Sequence, residues 1–141
     1  MRHDFLILSA ALLSACSQQE PKISVSDARV VASPGGSAAY FTIRNEGGSD
    51  RLVAVDAPGT GEASLHQTTM SDGVMRMRPL GGVEIAGGET ITLAPGAMHV
   101  MIMPAMPLQP GGKIALTLHF QRSPDMVVQA PVGSPMGGMA H

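Results

Sequence analysis

From Ile23 onward the chain is written in short runs of Val, Ile, Leu and Thr set between Gly- and Pro-rich punctuation. No window holds an apolar stripe at helical spacing over three turns, so the pattern has the period of strands. It predicts strands over residues 23–31, 38–45, 51–56, 63–70, 74–79, 83–85, 90–93, 98–103, 113–120 and 126–129. Turn signals separate them, among them Pro34-Gly35-Gly36, Gly47-Gly48, Asp72-Gly73, Gly81-Gly82, Pro95-Gly96 and Pro110-Gly111-Gly112. Short strands at this spacing imply an all-β fold, an antiparallel sandwich or barrel with Greek-key connections. None of the Gly-rich stretches carries a Walker lysine or a G-x-G-x-x-G between strand and helix, so they are turns and not phosphate loops.

The alternation also fixes which side chains share a face. Asp72-Gly73 is a strong signal for a two-residue hairpin, which sets Ser71 opposite Val74, Met70 opposite Met75 and Thr68 opposite Met77. His66 then lies diagonal to Met77 on the same face, across a backbone gap of about 7–8 Å. Were Ser71 drawn into a three-residue turn, His66 and Met77 would fall on opposite faces. His99 and Met101 are two apart on one strand and project from the same side, with Met103 next in the row.

Composition narrows the chemistry. The formal net charge is −2, Trp is absent, Tyr40 is the one tyrosine, and no basic cluster is available to neutralise phosphates, which excludes a nucleic-acid partner. Residues 23–132, about 110 positions, form one domain with room for one core. Eleven methionines against so few aromatics invite the reading of a methionine-filled core. Met98 and Met126 are assigned to such a core, whereas Met75 stays open because it shares parity with Met77.

Four residues stand apart from that reading. His66, Met77, His99 and Met101 are spaced as His, ten residues, Met, twenty-one residues, His-x-Met. Two imidazoles and two thioethers suit copper(I) far better than magnesium, calcium or an unaided zinc ion. They come from three strands, so a site at one edge of the sandwich gathers all four. Thioethers need no deprotonation and escape the disulfide capture that threatens exported thiols, and a partner presenting thiolates draws the ion away.

The ends carry separate signals. Residues 1–15, with Arg2 and an apolar run from Phe5 to Leu13, are predicted to be a lipoprotein signal peptide. Leu13-Ser14-Ala15-Cys16 resembles the bacterial lipobox, which makes Cys16 the acylated residue and leaves the mature chain without a free thiol. Residues 16–22 then form the lipidated cysteine and a polar tether. The predicted location is the periplasmic face of a bacterial membrane, held by the lipid, with Ser17 favouring the outer membrane by resemblance to the known sorting pattern. Residues 133–141 are a tail in which Met136, Met139 and His141 offer an accessory copper site, His141 and its terminal carboxylate suiting copper(II).

The run from Leu65-His66 through Asp72-Gly73-Val74-Met75-Arg76-Met77-Arg78-Pro79, followed by Pro95-Gly96-Ala97-Met98-His99-Val100-Met101-Ile102-Met103, resembles the PCu(A)C family of periplasmic copper(I) chaperones. The resemblance implies a cupredoxin-like β-sandwich that binds one copper(I) through His66, Met77, His99 and Met101. It also implies delivery to a copper-accepting partner, a cytochrome c oxidase subunit or another copper chaperone. A blue-copper centre is excluded because it needs a cysteine thiolate. No G-x-S-x-G or H-E-x-x-H supports an enzyme. Copper buffering or sequestration by a membrane-tethered protein, without a dedicated recipient, is the alternative from another class.

Overall fold

The computed structural model describes residues 19–104 and 106–134. Ten strands run in the order β1 (Ile23–Val31), β2 (Ser37–Asn45), β3 (Asp50–Asp56), β4 (Gly61–Ser71), β5 (Val74–Pro79), β6 (Val83–Ile85), β7 (Thr90–Thr92), β8 (Met98–Pro104), β9 (Lys113–Phe120) and β10 (Met126–Gly133). No helix occurs among the described residues, and none there is long and apolar enough to cross a membrane. The strands follow one hydrogen-bonded path, β5-β4-β8-β2-β1-β10-β9-β3-β6, with β7 paired to β2. Inward residues of the first half (Phe41, Ile43, Leu65, Val100, Ile102) and of the second half (Leu52, Ile85, Leu116, Leu118, Phe120) join in one buried cluster. Met98 and Met126 pack against its rim, in keeping with their sequence pattern.

Two features depart from a purely antiparallel sandwich. β1 and β10 run parallel and pair over Val30↔Val132 and Val31↔Gly133, which joins the two halves of the ladder. β1 also carries a bulge between Ser26 and Arg29, with Asp27 at φ 56°, the added twist that a bulge brings to a strand pairing on both sides. The last strand outruns its expected end at Gln129 because Ala130 and Val132 are buried, and the Ala32 N–H donates to the Gly133 carbonyl at 2.8 Å.

Asn45 organises the end of β2 that lies away from the His/Met row. Fully buried, it accepts from the backbone N–H groups of Lys22 (3.2 Å) and Gly47 (3.0 Å) through Oδ1. Its Nδ2 donates to the carbonyls of Gly48 (2.8 Å) and Ala86 (3.3 Å). Every polar valence of the buried amide that a core requires is thereby met. The segment Gln19–Lys22, expected as a free tether, is laid against this loop: the Gly48 N–H donates to Glu20 and Glu46 N–H to Lys22. Only glycine fits at that crossing, since a Cβ at Gly47 or Gly48 would sit 2.1 and 1.8 Å from the Glu20 and Gln19 carbonyl oxygens.

Candidate metal centre

The hairpin forms in the expected register. Asp72 (φ 51°) and Gly73 (φ 76°) both adopt the left-handed conformation of a two-residue turn. Ser71↔Val74, Met70↔Met75, Thr68↔Met77 and His66↔Pro79 follow as cross-strand pairs. Pro79 is tolerated because it falls on an edge strand at a position that owes no N–H to the ladder, while Leu80 N–H resumes bonding to the Leu65 carbonyl at 2.9 Å.

On its other side β4 pairs with β8, which sets His66 directly against His99 and Ser64 against Met101. The three donor-bearing strands are therefore neighbours at one edge of the ladder, in the order β5-β4-β8. Because Leu65, Val100 and Ile102 point into the core, the alternate residues His66, His99 and Met101 occupy the outer face together with Met77. The two imidazoles stack with ring centroids 5.8 Å apart and planes 18° from parallel.

Burial differs across the group. His99 is only 5% exposed, Met101 is half-buried and Met77 is 56% exposed. Met77, Met75, His99 and Met101 line one cavity of about 350 Å³, whose far wall is the turn Ser33–Gly36 with Pro95 and Gly96. Tyr40 closes the floor beside Arg29, whose guanidinium carbon lies 5.1 Å from the ring centroid.

The imidazoles are presented as ligands would be. Nδ1 of His66 and Nε2 of His99 are both shut from solvent and have no hydrogen-bond partner, an expensive condition for a buried polar atom unless something else uses its lone pair. Oγ of Ser64 lies 2.8 Å from Nε2 of His66. With the proton on Nε2 donated to Oγ, Nδ1 carries the free lone pair, the usual outer-shell support of a metal-binding histidine. Burial pushes the His99 pKa below the ordinary imidazole value, opposed by the Ala97 carbonyl and reinforced by His66. The neutral form that a metal requires is thus favoured.

Among the described residues no three His, Cys, Asp or Glu side chains come together to hold a metal. The donors that share the outer face of β5-β4-β8 are imidazole nitrogen and thioether sulfur, and of the four Met77, His99 and Met101 line the cavity. Sequence reasoning missed Ser64, although strand parity with His66 was the signal that could have found it. The walls supplied by Ser33–Gly36 were read only as a turn. Cys16 and the tail donors Met136, Met139 and His141 lie outside the described residues.

Known proteins resemble this chain in sequence and in fold. The family model "LpqE-like: Putative lipoprotein LpqE-like" matches residues 23–132. A relative named "Putative lipoprotein Lxx21020", from Leifsonia xyli subsp. xyli, is 34% identical over 119 residues, covering 82% of this chain and 72% of its own. The apo PCuAC domain from PmoF1 superposes with a TM-score of 0.66 at 28% identity, covering 81% of this chain and 95% of that one. The solution structure of CuI-DR1885 from Deinococcus radiodurans gives a TM-score of 0.61 at 28% identity, over 91% of this chain and 89% of that one.

Proposed function

Because this chain belongs to the LpqE-like family and has the cupredoxin-like fold of PCuAC domains, we propose that it is a copper(I) chaperone whose cargo is held by His66, Met77, His99 and Met101. Family and fold are those of copper-carrying domains and not of enzymes. The observation that carries the ligand assignment is the pair of stacked, solvent-excluded imidazole nitrogens without hydrogen-bond partners. They sit on one face of the β5-β4-β8 sheet edge with two thioethers.

The division of burial suits carriage. His99, only 5% exposed, anchors the ion, whereas Met77 stands on an exposed edge strand and is the donor that an incoming ligand displaces first. Four neutral donors leave the ion's single positive charge uncompensated, so an acceptor offering thiolates gains electrostatically on taking it. Transfer then needs no unfolding, only exchange at the exposed sulfur.

Anchoring fits the same scheme. The family and the relative's name point to a membrane-attached extracytoplasmic lipoprotein, and Cys16 is the residue we assign to the lipid. Gln19–Lys22 meet the domain at the Asn45 end of β2, whereas Met101 faces Ala38 near its other end. Seven residues of extended strand separate the two, about 23 Å. The cargo site therefore opens at the pole away from the tether, towards a soluble or membrane-borne acceptor, for which a cytochrome c oxidase copper subunit is our proposal. Outer-membrane sorting through Ser17 and copper capture by Met136, Met139 and His141, with copper(II) on the last, complete it.

The test is titration of the protein with copper(I) against a chromogenic chelator, followed by mixing with an apo acceptor. One tightly bound ion that passes to the acceptor is expected. An ion that binds and stays would mark a buffering protein, and absence of binding would reject the assignment.

A further inference from the structure

Met70, Met75, Met103 and Met106 are exposed and stand outside the four cargo ligands, and the first two face each other across one hairpin. We propose that Met70 and Met75, at the tip of the β4–β5 hairpin, form an outer copper(I) site of two thioethers that loads and unloads the inner one. This rests on the reading that the outer face handles copper(I), and it adds a place on that face where the ion first lands.

The turn dictates the geometry. Ser71↔Val74 closes the two-residue loop and is hydrogen-bonded, so the next pair, Met70↔Met75, is a non-hydrogen-bonded one. At such a pair the Cα atoms approach to about 4.5 Å and the side chains lie closest. Both chains leave the same face of the hairpin as Thr68, Met77 and His66. Methionine has three rotatable bonds and no branch to obstruct it, so two of them side by side can close on one ion.

Position and exposure argue that these sulfurs serve a ligand. Met70 is 68% exposed and Met75 61% exposed, on a strand at the open edge of the ladder. Apolar side chains on an edge strand invite intermolecular pairing, and protein surfaces commonly place charge there. The opposite face of β5 follows that practice with Arg76 and Arg78. The thioethers are confined to the face that carries the donors. Met75 lies two residues before Met77 and lines the same cavity with it. Soft sulfur thus continues from the hairpin tip through Met77 to the His66/His99 pair. Two neutral thioethers discriminate against hard cations and hold copper(I) loosely, which is what capture and release at a rim require.

The experiment is a titration of the full chain, labelled with [methyl-13C]methionine, with silver(I) as a redox-silent analogue and with copper(I) under reductant. Methyl signals are assigned from Met→Leu variants. We expect the methyls of Met77 and Met101 to respond to the first equivalent. Those of Met70 and Met75 should move together as more metal is added. In Met70→Leu the Met75 response should be lost, and in His99→Ala the outer pair should respond from the start of the titration. Met70 and Met75 methyls that stay still through excess metal would overturn the outer site, as would an unchanged Met75 response in Met70→Leu. Failure of the inner assignment reads differently, as silence at Met77 and Met101.

Discussion

Replacing Ser64 with Ala should weaken copper(I) binding about tenfold while leaving the fold intact. The perturbation removes one oxygen, the Oγ that lies 2.8 Å from Nε2 of His66. Ser64 is exposed, and Ala keeps its Cβ, so stability should change by no more than about 0.5 kcal/mol. The ligand loses more. A neutral hydrogen bond is worth about 1 kcal/mol net, and freeing the ring to face two ways adds roughly RT ln 2, about 0.4 kcal/mol. The sum, about 1.4 kcal/mol, is one factor of ten in affinity, at the lower end of the range for loss of an outer-shell partner. The assay is competition with a chromogenic copper(I) chelator beside a thermal melt of the apo-protein. Ser64→Thr, which restores the hydroxyl, should recover most of the affinity. Equal affinities for Ser64→Ala and the native chain would refute the role given to this contact, and with it the claim that Nδ1 of His66 is the ligating atom.

Met77→Leu and Met101→Leu conserve volume, so each should lose about tenfold or more in copper(I) affinity, ~1.4 kcal/mol, while stability falls by less than about 1.5 kcal/mol; undiminished affinity in both would remove the thioethers from the ligand set. Asn45→Ala strips four hydrogen bonds from a buried hub and should cost about 3 kcal/mol, seen as a drop of roughly 10–20 °C in the thermal midpoint with copper affinity unchanged. His119 donates to Asp56 at 2.7 Å and to Asp125 at 3.0 Å, which together raise its pKa above the ordinary imidazole value. Its stabilisation is therefore complete below pH of about 6.5 and lost as pH rises through the raised folded value; denaturant midpoints measured against pH should show that fall, and His119→Gln should abolish it. Asp50 behaves in the opposite sense. Burial alone would raise it, but the Ser123 hydroxyl and the N–H groups of Arg51, Arg122 and Ser123 outweigh this and lower its pKa, so its contribution is present above pH of about 3.9 and lost as pH falls through the depressed folded value. Acid titration of Asp50→Asn should show a flatter decline.

Strand positions, the Asp72-Gly73 register and the shared face of His66 with Met77 were legible in the sequence, because a period of two and left-handed turn residues are local properties of a few adjacent positions. The same locality put His99 and Met101 on one side of their strand. The chain alone did not determine that β4 lies beside β8 and sets His66 against His99. That adjacency depends on which faces of distant strands bury one another. Nor did it determine the parallel β1–β10 pair, whose partners lie at opposite ends of the domain. The burial of His99 and the docking of Gln19–Lys22 on Asn45 belong to the same class. Each is a meeting of segments that carry no mutual signal in sequence, brought together because one core has to close over all of them.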